Sequence, residues 1–213
     1  MSAVANPTHP KGAPAADRRG PAVQPGWLRV VHWVNVLSVF VMVPSGWRIY
    51  NASPLFDFRF PDGYTLGGWL GGALLWHFAA MWLLVVNGVA YLLLNIASGR
   101  MARRLFPVWP RGVLRDGVAA LCGRLSHEDP SRYNEVQRAA YLFVLVDLAV
   151  LVASGLAIWK PVQLAWLCDL LGGFQPARWV HFVAMALLVA FIVVHVVMVA
   201  LVPRTLRTMI FAR

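Results

Sequence analysis

The run WVHFVAMALLVAFIVVHVVMVALV, residues 179–202, decides how this chain is read. Its only ionisable side chains are His181 and His195. A helix rises 1.5 Å per residue and ~20 apolar residues span a hydrocarbon core, so the run is long enough to cross a membrane. The histidines are fourteen residues apart, which at ~100° per residue returns them to nearly one face. They stand ~21 Å apart along the axis, one toward each edge of a core ~30 Å thick. Imidazoles inside lipid are costly and usually functional. A lone one is equally well explained by a hydrogen bond to a backbone carbonyl. Two on one face, with partners at matching depths elsewhere, ask for a ligand.

The whole chain has the same character. Of its 213 residues 59% are hydrophobic and only 13% charged, with mean hydropathy +0.62, where soluble domains carry about a quarter charged residues. The length allows one membrane domain and no large soluble one. The net charge of +10 does not point to nucleic acid, because the basic residues flank apolar runs instead of forming one patch. A role in membrane orientation explains them better.

Residues 1–25 are rich in Pro, Ala and Gly without apolar periodicity and read as a disordered cytoplasmic tail. Arg18-Arg19 is similar to a twin-arginine export signal, but no cleavage pattern follows the first apolar run. A transmembrane domain is expected over 26–203, with helices at about 27–47, 68–96, 137–159 and 179–202. A cytoplasmic segment lies at 99–136 and a basic cytoplasmic tail at 204–213. Pro44-Ser45-Gly46 is expected to bend or thin the far end of the first helix. Of the nineteen Lys and Arg, fifteen fall in the two tails, the middle segment and the helix turns adjoining them (Arg29 and Arg138), and four in the other two loops. That asymmetry puts both termini in the cytoplasm. Trp27, Trp47, Trp69, Trp159 and Trp179 suit interfacial anchoring. The expected fold is an all-α integral membrane protein, a four-helix transmembrane bundle. Cys122 and Cys168 then lie on opposite sides and form no internal disulfide.

This topology sorts four histidines by depth. His32 on the first helix and His195 on the fourth lie toward the cytoplasm, while His77 on the second and His181 lie toward the outside. Two level-matched pairs, His77/His181 outer and His32/His195 inner, suit bis-histidine ligation of two stacked hemes. No CxxCH motif occurs, so both would be heme b. Gly46 lies fourteen residues beyond His32, and Gly155 sits at a similar depth. Both leave space for a heme, although close helix packing also explains them. Arg48, Arg59, Lys160 and Arg178 lie near the outer edge and are placed to meet heme propionates or to anchor the membrane flank. Asp147, the one acid inside an apolar helix, is expected to be protonated or to hydrogen-bond a polar neighbour, with Asn35, Ser38 and Asn87 as candidates, in a structural or a proton-relay role.

With histidines on its first and second helices and twice on its fourth, the chain resembles the bacterial diheme cytochromes b, the cytochrome b561-like family. These include the membrane subunits of NiFe-hydrogenases, formate dehydrogenases and thiosulfate reductases. SGLAIWKPVQLAWL (154–167), followed by GGFQPARWVHF, is most similar to the thiosulfate-reductase-like branch. The resemblance implies His32, His77, His181 and His195 as iron ligands. Arg132-Tyr133-Asn134-Glu135-Val136-Gln137 resembles the Tyr-Asn-x-x-Gln start of the third helix in formate dehydrogenase membrane subunits, which implies Asn134 and Gln137 as quinone contacts. A polar helix start at an interface is the alternative for that motif.

The function expected from this is electron transfer across the bacterial inner membrane between ubiquinone or menaquinone and a periplasmic partner. The resemblance implies a molybdopterin oxidoreductase or a cytochrome c as that partner; a homodimer is left open, and no nucleic acid is involved. One alternative is a stand-alone superoxide:quinone oxidoreductase. Another, of a different class, is a histidine-lined metal transporter, which level-matched pairs fit poorly.

Overall fold

A computed structural model describes residues 25–101, 112–113, 115 and 135–211. Among these every regular element is helical: α1 (Gly26–Ala52), a 3-10 turn (Asp62–Tyr64), α2 (Leu70–Ala97), α3 (Glu135–Trp159), α4 (Ala165–Leu170), α5 (Phe174–Leu201) and α6 (Pro203–Ile210). The long ones, α1, α2, α3 and α5, are each long and apolar enough to cross a membrane. Three of them run past the ends the sequence suggests. α1 continues through Pro44 to Ala52, α3 begins at Glu135, and α5 begins five residues before Trp179.

Pro44 removes one backbone donor, yet the helix survives because its neighbours supply others. The Ser45 hydroxyl reaches the Val41 and Met42 carbonyls at 2.7 and 3.1 Å, and the Pro44 carbonyl accepts the Leu66 N–H at 3.0 Å. Side-chain hydroxyls commonly keep helices intact around proline in lipid.

Contact is concentrated within two hairpins, α1 against α2 and α3 against α5. Buried positions recur every seventh residue: Val31, Ser38 and Ser45; Ala73, Ala80 and Asn87; Asp147 and Ser154; Ala177 and Ala184. A seven-residue repeat of small side chains is the seam of closely approaching, left-handed helix pairs. The large apolar side chains point the other way, Phe40 at 78% exposure and Leu75 at 74%, as lipid-facing surfaces do.

The hairpins are tied together at the end that carries loops 53–69 and 160–173, here the loop end. In the sequence Phe56-Asp57-Phe58-Arg59-Phe60 alternate side chains face alternate sides. The three rings pack on α1 and α5, Phe60 on Trp47 at 4.6 Å and Phe56 on Trp179 and Phe182 at 4.7 and 5.3 Å. Asn51 holds the strip in register, donating to the Phe60 carbonyl at 2.8 Å and accepting its N–H at 2.9 Å. At the other end, here the terminal end, α6 folds back so that the Trp33 indole donates to the Met209 carbonyl at 3.1 Å.

Midway along the first hairpin, Asn87 donates to the Val31 carbonyl at 2.8 Å and to Asn35 Oδ1 at 2.6 Å. It therefore clamps the turn of α1 that carries His32. Interhelical hydrogen bonds in membranes contribute ~0.6 kcal/mol on average and up to ~1.7. An Asn87→Leu change should cost about 1–2 kcal/mol and lower the thermal unfolding midpoint in detergent. An unchanged midpoint would show that the clamp contributes nothing.

Candidate functional site

The four histidines project from the inner faces of α1, α2 and α5 into the space between the hairpins. His77 and His181 face each other near the loop end, their ring centroids 6.5 Å apart and their planes crossed at 66°. His32 and His195 face each other near the terminal end at 6.2 Å and 62°. Each pair takes one member from each hairpin, so each spans the gap.

The separation fits a shared metal. Two metal–nitrogen bonds of ~2 Å, plus ~1.1 Å from each ring centre to its nitrogen, give ~6.2 Å. A direct hydrogen bond between two ring nitrogens, ~2.9 Å long, would bring the centroids closer, to ~5.1 Å. Among the described residues no group of three or more His, Cys, Asp or Glu side chains converges. The protein thus offers two facing imidazoles at each level and no further cluster of such donors among the described residues. A metalloporphyrin would need no more from the chain, since the macrocycle would bring its own nitrogens.

The loop-end pair is held from behind. Ser45 Oγ lies 3.1 Å from His77 Nδ1, and the Met42 carbonyl lies 3.1 Å from the same nitrogen. Ser154 Oγ lies 3.0 Å from His181 Nδ1. Beside each serine a glycine makes room. A Cβ at Gly46 would meet His77 Cε1 at 3.4 Å, and one at Gly155 would meet His181 Cε1 at 3.2 Å. These glycines therefore sit against the histidine rings themselves. At the terminal end Phe191 stacks on His195, 5.9 Å between centroids and 10° between planes.

The remaining candidates are placed less directly. Arg48 pairs with the Asp62 carboxylate and the Gly68 carbonyl, and Arg178 donates to the Ser53 carbonyl and to Gln175 Oε1. Both arginines thus bind loop groups at the mouth of the loop-end pair. Lys160 lies 4.8 Å over the Trp159 ring. Gln137 is exposed on the first turn of α3, whereas Asn134 and Cys122 lie outside the described residues. Cys168 is buried among Ala157, Leu167 and Ala177. The partners suggested for Asp147 are otherwise engaged. Asn35 and Asn87 bond each other, and Ser38 donates to the Val34 carbonyl at 2.9 Å. Asp147 is buried, and its Oδ2 has no hydrogen-bond partner among the described residues.

Ser45 and Ser154 carry no signal as isolated serines, but a repeat in the sequence exposes them. HFAAMWLLV (77–85) and HFVAMALLV (181–189) match at seven of nine positions. Ser-Gly precedes each, at 45–46 and at 154–155. Gly68 and Gly172, both nine residues before their histidine, both take positive φ, 70° and 87°. Glycine adopts that conformation without strain, so a glycine turn at the same distance precedes both second helices, although the next residue differs: Trp69 is extended with φ −135° where Gly173 has φ 103°. The two hairpins are copies of one unit.

Comparison with known proteins gives the chain a family. The family model described as prokaryotic cytochrome b561 matches residues 23–212. A protein of Azospira oryzae, assigned by inference as the protein-methionine-sulfoxide reductase subunit YedZ1, is 59% identical over 189 residues, covering 89% of this chain and 96% of that protein. Inferred Ni/Fe-hydrogenase B-type cytochrome subunits of Cupriavidus necator and Azotobacter vinelandii are each 27% identical. They cover 79% of this chain and 74% and 75% of their own lengths.

The two glycines should differ in tolerance. Gly155→Ala brings a methyl inside comfortable contact of His181 and should lower heme occupancy of the purified protein, whereas Gly46→Ala leaves His77 in ordinary van der Waals contact and should stay near parental. Equal occupancy in both variants would mean that the His181 ring has slack.

Proposed function

The chain belongs to the prokaryotic cytochrome b561 family, and on that premise we propose that it is a diheme subunit passing electrons between a membrane quinone and a redox partner outside. Family membership and the four spanning helices make it a b-type heme electron-transfer protein of the bacterial inner membrane. The observation that carries the finer reading is the presence of two facing histidine pairs at two depths, with similar centroid spacing.

Heme iron, bound between each pair, supplies one-electron chemistry. Everything else is done by the chain. His77 and His181 hold the loop-end position, and His32 and His195 the terminal-end position. The lipid-facing helices exclude water from both. Spacing along α5 sets the two histidine pairs ~21 Å apart along the helix axis. Arg48 and Arg178 keep further N–H groups beyond their loop partners, which makes them the candidates to face propionates at the loop end.

The Lys and Arg asymmetry supports placing the loop end in the periplasm and the termini in the cytoplasm. The quinone then belongs at the inner pair, with Asn134 and Gln137 at the start of α3 as its polar contacts. The 59%-identical relative is named as a subunit of a reductase for protein methionine sulfoxide. That name supports a reductase as the partner; the molybdopterin oxidoreductase outside the membrane that the resemblance implies is the one proposed, with electrons flowing outward from quinol.

Purified protein should contain two b hemes per chain by pyridine hemochrome. His77→Ala and His181→Ala should abolish the same component in a redox titration, and His32→Ala and His195→Ala the other. One heme per chain, or any other grouping of the four variants, would overturn the pairing.

An Asn134→Leu change should keep both hemes, because their ligands lie on other helices. It should slow reduction by a quinol analogue about five- to a hundredfold, the equivalent of one hydrogen bond of ~1–3 kcal/mol, and leave reduction by dithionite unchanged. Parental quinol kinetics in stopped flow would move the quinone site elsewhere.

A further inference from the structure

Ser45 and Ser154 occupy equivalent positions in the two copies of the hairpin, and their hydrogen bonding fixes which role each plays. A serine hydroxyl has one hydrogen to give and two lone pairs to offer. Each hydroxyl lies 2.7 Å from the carbonyl one turn earlier in its own helix, Val41 for Ser45 and Val150 for Ser154. That carbonyl can only accept, so the hydroxyl hydrogen goes to it. The Oγ lone pair is left facing the imidazole, 3.1 Å from His77 Nδ1 and 3.0 Å from His181 Nδ1. Both histidines must therefore carry their hydrogen on Nδ1 and present an unprotonated Nε2 across the gap.

We infer that Ser45 and Ser154 are matched positioning residues, each fixing the tautomer and ring plane of the histidine in its own hairpin so that one centre receives two equivalent nitrogens on the pseudo-twofold axis. This rests on the diheme reading above. It goes beyond that reading in making the two ends of the molecule unlike. At the loop end the ligands are repeat partners, His77 and His181. At the terminal end they are not: in the same alignment His32 corresponds to Tyr141, and His195 to Tyr91. Only the loop-end centre is symmetric, and only its histidines have a serine behind them in the bonds described.

The chemical consequence is on redox poise. A group that accepts the hydrogen bond of a metal-bound imidazole raises the basicity of that ligand, and a more basic ligand favours the oxidised metal. Removing either serine should therefore shift the loop-end centre toward reduction. The shift should be moderate, because backbone carbonyls stand close by at both positions: Met42 lies 3.1 Å from His77 Nδ1, and Leu151 lies 3.3 Å from the Ser154 hydroxyl behind His181. About three- to tenfold in the reduction equilibrium is expected, ~30–60 mV at 59 mV per tenfold for one electron.

The test is spectroelectrochemical titration of the full-length, heme-loaded protein in detergent, with low-spin EPR on the oxidised samples. Ser45→Ala and Ser154→Ala should each raise the midpoint of the same component, by similar amounts, and the double variant by their sum. The component lost in His32→Ala should not move in any of them. Ser45→Thr and Ser154→Thr keep a hydroxyl bonded to the preceding turn and should restore the parental midpoint and EPR line shape. If an alanine variant loses the loop-end heme altogether, the threonine variant decides: recovery of heme and midpoint supports the role, and a folded protein without recovery overturns it. Unshifted midpoints with full heme content overturn the inference, as does a shift from only one of the two serines. Both outcomes leave the diheme reading standing. That reading fails separately, if His77→Ala and His181→Ala retain both components.

Discussion

The constraint on which this structure depends is the placement of two histidine pairs, each shared between hairpins that pack mainly within themselves. A side chain whose partner stands on the other hairpin needs to be aimed, and the aiming has to come from its own hairpin. The Ser-Gly pairs on α1 and α3 do this for His77 and His181, the serine by accepting from the ring and the glycine by leaving it room. The aromatic strip Phe56-Phe58-Phe60 joins the hairpins at the loop end, fastening α1 to α5. Without it the spacing of the first pair would depend on the ligand alone.

Lipid imposes the second condition. No water competes in the hydrocarbon core, so each polar group must be satisfied within the protein. Ser38, Ser45 and Ser154 return their hydroxyls to the preceding turn, and Asn35 and Asn87 bond each other across the helix pair. Satisfying these groups and orienting the histidines turn out to be one task, because the same hydroxyl that repairs the turn around Pro44 also receives the His77 ring. Asp147 is the departure from this pattern. It stands where the first hairpin has Ser38, one seam repeat below Ser154, and its Oδ2 has no partner among the described residues.

Duplication explains why the two ends differ. A repeated hairpin creates equivalent positions on either side of an axis, and a ligand on that axis receives the same side chain twice. His77 and His181 meet this condition. The second pair draws His32 from a first helix and His195 from a second, so its two histidines have unlike neighbours: the Asn87 clamp lies beside one and the Phe191 ring on the other. One scaffold thus offers a symmetric and an asymmetric histidine pair, and on the proposed diheme reading the two centres would differ in potential for that reason.

The sequence by itself determined the membrane fold and the depth of each histidine, because both follow from quantities counted along one helix: apolar length, residue spacing and the placement of charge. His32, His77, His181 and His195 were legible for that reason, since an imidazole in an apolar run has a depth as soon as the helix direction is known. Lateral relations were not countable in this way. That Asn87 turns to Asn35 and away from Asp147, that Arg48 and Arg178 bind the loops, and that α1 survives Pro44 all depend on which helix faces meet. The serines show the boundary most clearly. Ser-Gly is an ordinary dipeptide in a helix, and even the HFxAMxLLV repeat records only that something is duplicated. Only the packing of α1 on α2 and of α3 on α5 brings each hydroxyl within 3.1 Å of an imidazole, because hydrogen bonds are decided by distance and direction between chain segments far apart in sequence.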